Sequence, residues 1–489
     1  MAAPYLLLSS AFLLLLLSSN FSALRSHQTV ATLPGFDGHL PFKLETGYIG
    51  VGDDDDVQLF YYFIESERSP EDDPLVLWLT GGPGCSGFSG LVFEIGPLVF
   101  DYESSRPSLP RFSLNQYSWT KVPCMSILPL LWFYVANVIF LDAPVGTGFS
   151  YANSWQGYIM NDTLSATQIY HFLRKWLVVH SDFLANPLYI AGDSYSGKIV
   201  PIVVQEISDG IDAGHKPRMN LKGYMLGNPV TDDKIDQNSK IQFAYLKALI
   251  TYEIYESAKK NCKGDYVNVD PGNYLCKADL QNISVCTGNV NGVNIYEPRC
   301  SFVSPKSTRL SPGDASVMED EEDSLDLLFL PAQPAPKLWC RNQNYFYAPT
   351  WANDKTVQRA LGIQEGMVKE WRRCNKSLSY TTNVLSSVDY HRNFIKKGYQ
   401  VLIYSGDVDM GTSYVGTETW IKSLNLTIDS GWQPWLVDGQ VAGFWMRYAE
   451  KNLYRLTFAT VKGAGHTAPE YKPKECLEMI NRWFAMYPL

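Results

Sequence analysis

Short apolar runs that end in turn-forming residues limit the fold of this chain more than any other feature of its sequence. Three such runs are Pro74–Leu79 before Gly81-Gly82, Asn137–Leu141 before Asp142-Ala-Pro-Val-Gly, and Leu188–Ala191 before Gly192. Because these runs do not alternate with polar residues, they indicate strands that are buried on both faces of a sheet. Helical spacing of apolar residues occurs over 162–180, with Asp162 as the expected N-cap, and a second helix is expected over 198–207. This alternation predicts an α/β protein with a mostly parallel central sheet and helices on both faces.

The predicted sheet is interrupted by a long segment of different character. Further strands are expected at Val57–Ile64, Tyr399–Tyr404 and Leu456–Val461. From about residue 210 to 349 the hydrophobic periodicity fades, and cysteine, glycine, asparagine and proline become frequent. The predicted divisions are a signal peptide over 1–26, the first part of the core over 27–209, a cap or lid with a linker over 210–349, and the second part of the core over 350–489.

The amino terminus has the form of a secretory signal. Leu6–Leu17 is a nearly continuous apolar run followed by small residues, and it is too short to span a bilayer comfortably. A secretory route to the vacuole or the cell exterior agrees with the nine cysteines, since an oxidising compartment favours disulfides and the odd count leaves a thiol unpaired. It also agrees with four Asn-x-Ser/Thr glycosylation sequons beyond the signal, at Asn161, Asn282, Asn375 and Asn425.

Composition argues against several other classes of protein. A formal net charge of -9, with no run rich in lysine or arginine, argues against a nucleic-acid partner. The uncharged stretch Val122–Leu141 is long enough for a membrane span, but Pro123, Pro129 and Asn137 interrupt it, so we predict an apolar loop before a buried strand. We expect no metal and no nucleotide cofactor, because no cluster of His, Asp, Glu or Cys has metal-ligand spacing and no Gly-x-Gly-x-x-Gly follows a strand.

Ser194 is the candidate nucleophile. It lies in Gly192-Asp-Ser-Tyr-Ser-Gly197, directly after an apolar strand and directly before a helix. This is the setting of the nucleophile elbow of α/β-hydrolases, where glycines permit a strained turn that exposes the hydroxyl. The strict Gly-x-Ser-x-Gly pattern is missed by one position, because Ser196 stands before Gly197.

A nucleophilic serine needs a base to take its proton and an acid to orient that base. Of the seven histidines, His466 alone lies in a glycine-flanked loop after a strand, whereas His171 and His180 are expected on a helix surface. Asp409 follows another apolar strand and is the preferred acid, with Asp407 as its rival. The order serine, aspartate, histidine is that of the α/β-hydrolases, whose sites lie on strand-end loops.

A third strand end supplies the candidate oxyanion hole. The loop Thr80-Gly-Gly-Pro-Gly84 follows a buried strand, and glycine lets a substrate approach the main chain closely. We expect the backbone N–H groups of Gly82 and Tyr195 to donate hydrogen bonds to a developing alkoxide.

Taken together, these motifs closely resemble the plant serine carboxypeptidase-like proteins of peptidase family S10. The matching segments are Leu40–Tyr48, Trp78–Ser86, Phe140–Ser150, Gly192–Gly197, Tyr404–Asp409 and Gly465–Pro473. The resemblance covers essentially everything after the signal, and it implies the α/β-hydrolase fold together with the triad and oxyanion donors named above. The disulfides that it implies are Cys85–Cys374, Cys262–Cys276, and Cys340 with either Cys300 or Cys286.

Within that family, two residues beside the nucleophile indicate acyl transfer. The resemblance implies that carboxypeptidases hold the free carboxylate of a substrate with an asparagine before the paired glycines and a glutamate before the serine. Here those positions are Thr80, next to Gly81, and Asp193. Threonine lacks the amide donor and aspartate is one methylene shorter, so the carboxylate is held less well.

This pair of residues is similar to that of plant acyltransferases that use 1-O-glucose esters as acyl donors. The expected partners are therefore a glucose ester and an acceptor alcohol or amine. The alternative is a serine-type carboxypeptidase that acts on the C-terminus of a peptide.

Departures from the family pattern motivate a third hypothesis, a folded but inactive member. An apolar insertion, Pro123–Val135, follows Ser118–Lys121 and would make Cys124 the odd thiol. After Asp409 the chain has Gly411-Thr-Ser413 where the family often has Val-Val-Pro, and Val408 replaces a common histidine.

Overall fold

The computed structural model describes residues 27–103, 109–122, 134–299, 340–450 and 453–489. Within these ranges the strands are β1 His27–Thr32, β2 His39–Val51, β3 Val57–Ile64, β4 Leu75–Leu79, β5 Leu98–Asp101, β6 Arg111–Leu114, β7 Asn137–Leu141, β8 Tyr151–Ala152, β9 Met160–Asn161, β10 Leu188–Asp193, β11 Leu221–Gly227, β12 Tyr380–Thr381, β13 Gln400–Gly406, β14 Ile428–Val437, β15 Gln440–Ala449 and β16 Arg455–Val461. The α-helices are α1 Asp162–Val179, α2 Ser196–Asp212, α3 Asp233–Leu246, α4 Tyr252–Cys262, α5 Tyr274–Thr287, α6 Tyr347–Ala352, α7 Lys355–Ala360, α8 Val388–Phe394, α9 Tyr414–Ser423, α10 Ala468–Tyr471 and α11 Pro473–Phe484.

A twelve-stranded sheet runs in the order β1-β2-β3-β7-β4-β10-β11-β13-β16-β15-β14, with β8 paired to β3. Its centre, from β7 to β16, is parallel. Antiparallel strands extend it on both sides. The predicted α/β class is confirmed, and its parallel part is the centre of a mixed sheet.

Apolar cores cover both faces of this sheet, because successive side chains on a strand point to opposite sides. On β4, Trp78 joins the core that α11 covers, while Leu77 and Leu79 join the core beneath α1, α2, α8 and α9. Both faces of the central strands are therefore dry, as their continuous apolar runs predicted.

The start of α1 differs from the sequence-based expectation. Asn161, in an extended conformation, is the N-cap, and its side chain accepts a hydrogen bond from the backbone N–H of Leu164. The expectation that Asp162 caps the helix is wrong: Asp162 is the first helical residue, and its side chain is fully buried. The carboxylate is thus free to bind groups from other segments.

The predicted division at 209/210 is also wrong, because the sheet continues beyond it. β11 lies between β10 and β13 and is parallel to both. The sequence analysis did not predict β11, because glycine and charged residues surround its short apolar run. The helices α3, α4 and α5 follow, and they enclose a small apolar cluster of their own around Ala244, Ala258 and Ile283.

Several predicted features fall outside the described residues: the signal peptide, Cys124, Cys300 and nearly all of the insertion Pro123–Val135. The end of the uncharged stretch is described, and it forms the buried strand β7. Among the helices in the described ranges, none combines the length and the apolar character that a membrane span requires.

Two disulfides link described cysteines, Cys85 to Cys374 and Cys262 to Cys276. Cys340 is also disulfide-bonded. Cys286 has a free, exposed thiol, so it is excluded as the partner of Cys340.

The histidines on α1 and at its end have different surroundings. His171 is exposed, as expected. The expectation for His180 is wrong: its side chain is 10% exposed, stacks on Trp176 with ring centroids 3.9 Å apart, and places Nε2 2.7 Å from the Glu45 carboxylate. The imidazole is held by the Glu45 carboxylate on β2 and by the Trp176 ring one turn earlier in α1. Helical periodicity does not predict these contacts.

His391 on α8 makes the stability of the fold depend on pH. It is fully buried with Nδ1 2.7 Å from the Tyr224 hydroxyl, and burial lowers its pKa to about 3. Because the unfolded chain then binds more protons below about pH 6.5, the free energy of unfolding falls as the pH falls through this window. His391→Gln keeps an acceptor but takes up no proton, so it should lessen this fall by up to about 1.4 kcal/mol per pH unit. Urea denaturation at neutral and acidic pH measures the effect, and equal pH slopes in the variant and the wild type would contradict it.

Candidate active site

Ser194 lies in a sharp turn between β10 and α2. Its φ of 56° is in the left-handed region, which costs a non-glycine residue energy and persists only where the surroundings enforce it. Two backbone hydrogen bonds do so: the N–H of Ser194 donates to the Gly227 carbonyl at 2.9 Å, and the Ser194 carbonyl accepts from the Val230 N–H at 2.8 Å.

The displaced glycine of the elbow has a structural reason. The hydroxyl of Ser196 donates to the Leu79 carbonyl at 2.8 Å, so a side chain is accommodated at that position. A Cβ on Gly197 would lie 2.5 Å from the Val230 carbonyl oxygen. Glycine is therefore needed one position later than the strict pattern places it.

Three side chains from separate strand ends meet at this turn. His466 Nε2 is 2.7 Å from Ser194 Oγ, and His466 Nδ1 is 2.7 Å from Asp409 Oδ2. Both distances are hydrogen bonds of ordinary length, and Oγ can donate its proton to Nε2. The three residues follow β10, β13 and β16, whose carboxyl ends share one edge of the sheet because the strands are parallel.

Asp409 is held in place by groups from other segments. It is fully buried, and its carboxylate accepts hydrogen bonds from the Asn228 side chain at 2.9 Å and from the Thr412 N–H at 3.1 Å. Sequence reasoning missed Asn228. The signal was present, since Gly227-Asn-Pro229 ends the apolar run of β11 in the same way that turns end β4 and β10.

Asp407 has different partners. Its carboxylate accepts from the Gly463 N–H at 2.6 Å and lies 3.6 Å from Lys247 Nζ. Of the two candidate acids, Asp409 is therefore the one that contacts the imidazole of His466.

The loop after Asp409 is intact despite its departure from the family pattern. The N–H groups of Met410 and Gly411 both donate to the Gly292 carbonyl at 2.9 Å. Ser413 caps α9 by accepting from the Gly416 N–H, so Thr412 remains in position to bind Asp409.

Two opposing effects set the pKa of His466. Burial alone lowers its pKa, but the carboxylate of Asp409 outweighs burial and holds the pKa above its usual value. The imidazole is thus a stronger base than a free histidine, which suits it to take a proton from a serine hydroxyl.

The glycine loop after β4 lies against the nucleophile. A Cβ on Gly81 would be 2.6 Å from Ser194 Cβ and 2.8 Å from the backbone nitrogen of Tyr195. Within the described residues, neither the N–H of Gly82 nor that of Tyr195 has a hydrogen-bond acceptor. The Cys85–Cys374 disulfide and the hydrogen bond from the Asn375 N–H to the Gly84 carbonyl fix the far end of this loop. The two backbone donors without an acceptor therefore belong to the residue after Ser194 and to the glycine loop that packs against Ser194.

Three polar side chains lie in this loop or near it. Asp193 is buried and accepts from the Gly81 N–H at 3.3 Å; burial raises its pKa to about 6. Within the described part of the chain, the buried hydroxyl of Thr80 has no hydrogen-bond partner. Sequence reasoning missed Glu94, a buried carboxyl whose pKa is raised well above its usual value by burial and by the neighbouring charges of Asp193 and Glu470.

Comparison with known proteins gives consistent findings. A family model described as serine carboxypeptidase matches residues 34–486. Serine carboxypeptidase-like 2 of Arabidopsis thaliana is 45% identical over 464 residues, which cover 95% of this chain and 94% of that protein. Serine carboxypeptidase-like 17 of the same plant is 44% identical over 464 residues, with the same coverage.

Among solved structures, a prohormone-processing carboxypeptidase from Saccharomyces cerevisiae superposes with a TM-score of 0.70 over 95% of this chain and 96% of that one. The two sequences are 18% identical, so this likeness concerns the fold alone.

Proposed function

Since this chain belongs to the serine carboxypeptidase family, we propose that it transfers an acyl group from a glucose ester to an acceptor alcohol or amine through an acyl-Ser194 intermediate. The observation that carries this proposal is the hydrogen-bonded chain Ser194–His466–Asp409 beside a carboxylate-binding position that holds Thr80 and Asp193.

The first half-reaction consumes the glucose ester. Ser194 Oγ attacks the ester carbonyl while His466 Nε2 takes the hydroxyl proton, and the charge of Asp409 stabilises the imidazolium that forms. The N–H groups of Gly82 and Tyr195 donate to the oxyanion. When the tetrahedral intermediate collapses, the bond to the sugar oxygen breaks and His466 returns its proton to that oxygen, so glucose leaves.

The second half-reaction regenerates the enzyme. His466 takes a proton from the acceptor, the acceptor attacks the acyl carbonyl, and Ser194 Oγ recovers the proton as it leaves. Water in place of the acceptor would give hydrolysis, so the two activities differ only in which nucleophile reaches the acyl group.

The residues around the paired glycines favour transfer over peptidase activity. A peptide C-terminus presents a carboxylate, and binding it without its hydrogen-bond partners costs free energy. Thr80 has no amide to donate, and the only described donor to Asp193 at this loop is the Gly81 N–H. A neutral glucose ester does not have this requirement.

The second candidate function is a serine-type carboxypeptidase, and the buried carboxyls Asp193 and Glu94 favour it. Because burial raises both pKa values, acidic conditions protonate these groups and let them donate hydrogen bonds to a substrate carboxylate. Peptidase activity of this kind would be confined to acidic pH.

One assay separates the two candidates. Purified protein, with Ser194→Ala as the control, is given a phenolic glucose ester with an acceptor, and separately an N-blocked peptide. Transfer predicts release of glucose with formation of a new ester; peptide cleavage with hydrolysis alone of the glucose ester would support the carboxypeptidase instead.

Restoring the family's peptidase residues should raise peptide cleavage. A hydrogen bond to a charged group contributes about 1.5–3 kcal/mol, and one such bond restored by the double variant Thr80→Asn/Asp193→Glu should raise kcat/KM for an N-blocked peptide by roughly 10–100-fold. A neutral ester without a carboxylate is the control substrate, and its hydrolysis should not rise. If peptide cleavage is unchanged in a folded double variant, the role assigned to Thr80 and Asp193 is wrong.

The hypothesis of an inactive member has a simple test. The hydrogen bonds among Ser194, His466 and Asp409 argue against it, since an inactive protein has no need of an activated serine. A fluorophosphonate should label Ser194 and fail to label the Ser194→Ala variant; absence of labelling in the folded wild type would revive the hypothesis.

The proposal includes a secretory route to the vacuole or the cell exterior. Of the four sequons, Asn282 and Asn425 are exposed and open to a glycan. Asn161 caps α1, and Asn375 donates its side-chain amide to the Gly146 carbonyl at 2.9 Å. Expression of the full chain in plant cells, followed by fractionation, tests the route; retention in the cytosol would exclude it.

A further inference from the structure

Asp162, at the start of α1, is a buried carboxylate with an unusual number of donors. Its Oδ1 accepts from the hydroxyl of Tyr195 at 2.7 Å and from that of Tyr380 at 2.8 Å. Its Oδ2 accepts from the backbone N–H groups of Asn383 and Val384, both at 2.8 Å. The side chain is fully buried, so these four donors replace the water that a charge normally requires.

One of these donors belongs to the residue that follows the nucleophile. Tyr195 supplies the backbone N–H of the proposed oxyanion hole, and its side chain ends on Asp162. The Tyr195 hydroxyl has a single proton, which goes to the carboxylate, so the hydroxyl of Thr382, 2.9 Å away, donates to the Tyr195 oxygen. Both hydrogen-bonding capacities of the Tyr195 hydroxyl are therefore used, and the side chain is anchored.

The other donors come from the segment that contains and follows β12. β12 pairs with β9 immediately before Asp162, and the rings of Tyr380 and Tyr195 meet edge to face with centroids 6.2 Å apart. Upstream, the same segment begins at Cys374, whose disulfide reaches the glycine loop at Cys85. One carboxylate thus joins the start of α1, the residue after the nucleophile and the segment that contains β12.

We propose that Asp162 is a positioning residue for the oxyanion hole: through the Tyr195 hydroxyl it fixes the direction of the Tyr195 N–H. The proposal rests on the proposed function only in assigning that N–H to the oxyanion. Buried charge-assisted hydrogen bonds are the strongest available anchors of this kind. A small rotation of residue 195 would misdirect the donor, and errors of this size at a reacting centre are costly to catalysis.

The test compares Asp162→Asn and Tyr195→Phe, singly and together, with Asn383→Ala as the matched control. Asn383→Ala removes two hydrogen bonds between the Asn383 side chain and Thr163, one donated to the Thr163 hydroxyl and one accepted from the Thr163 N–H, but leaves the backbone N–H that binds Asp162. The substrate is an activated phenyl ester, which any acyl-serine enzyme cleaves, and kcat is expressed per site titrated with a fluorophosphonate.

We expect Asp162→Asn and Tyr195→Phe each to lower kcat about tenfold with little change in KM, less than the loss of a whole oxyanion donor. The double variant should be no worse than either single variant, because Asp162→Asn weakens and Tyr195→Phe removes the same hydrogen bond between residues 162 and 195. Asn383→Ala should retain wild-type kcat.

A purely structural role predicts that the unfolding midpoint falls while kcat per titrated site is unchanged. That result would overturn the proposal. Additive losses of kcat in the double variant would also overturn it. If Asp162→Asn does not fold, Tyr195→Phe decides alone: wild-type kcat overturns the proposal, and a lower kcat with unchanged KM supports it. Failure of the wild type to react with fluorophosphonate would instead count against the proposed function itself.

Discussion

Replacing His466 with alanine should lower kcat for ester cleavage by about 10⁶-fold, the loss expected when the general base of a catalytic triad is removed. The reason is geometric: Nε2 lies 2.7 Å from Ser194 Oγ. A second group able to accept the proton would have to lie equally close. The rate is measured as single-turnover acylation by an activated ester, so that slow product release does not mask the loss. Activity within tenfold of the wild type in a folded His466→Ala protein would contradict the account.

The acid of the triad, Asp409, can be compared with its neighbour Asp407. Asp409→Asn should lower kcat by about 10⁴-fold, because the amide no longer selects the productive tautomer of the imidazole. Asp407→Asn is the control, since Asp407 binds the Gly463 N–H and lies near Lys247. The two substitutions make the same chemical change two residues apart. An equal loss of kcat in both variants would mean that Asp409 is not the acid of the triad.

Gly82→Ala should lower kcat by about 10²–10³-fold, as loss of an oxyanion donor does. Gly82 has a φ of 125°, which residues with a Cβ rarely adopt. An added Cβ would lie 2.8 Å from the Gly84 nitrogen and 2.9 Å from the Cys85 nitrogen. Both are backbone atoms, so the loop itself would have to move and the N–H would move with it.

A glycine in open space gives the control for Gly82→Ala. Gly431 on β14 has no atom within 4 Å of an added Cβ, and its substitution by alanine should leave kcat unchanged. The measurement is kcat per titrated site for a neutral ester. If Gly82→Ala keeps wild-type kcat, the oxyanion donor at residue 82 must be withdrawn.

The site residues that could be predicted from the sequence are those that follow the ends of buried strands. Ser194, Asp409 and His466 each follow an apolar run that reads as a buried strand, and parallel strands bring their carboxyl ends to one edge. Local patterns were sufficient because each residue is placed by its own strand. The same reasoning gave the glycine loop after β4.

The residues that the sequence did not reveal act through long-range contacts. Asn228 binds Asp409 across 181 positions, and Asp162 binds residue 195 from a helix start that looked like an ordinary cap. Glu94 is a carboxyl in a short π-helical segment with no periodic signal around it. β11 was missed because the surrounding composition resembled an insertion. In each case the partner is chosen by the tertiary fold, which local sequence patterns do not encode.

The central claim is that Ser194 carries the acyl group during turnover. Mass spectrometry of the protein, quenched while it consumes a glucose ester, measures this directly. The account predicts an adduct with the mass of the acyl group on the peptide that contains Ser194. The adduct should be absent from Ser194→Ala and should discharge faster when the acceptor is present. Turnover without any adduct at Ser194, or undiminished turnover by Ser194→Ala, would contradict it.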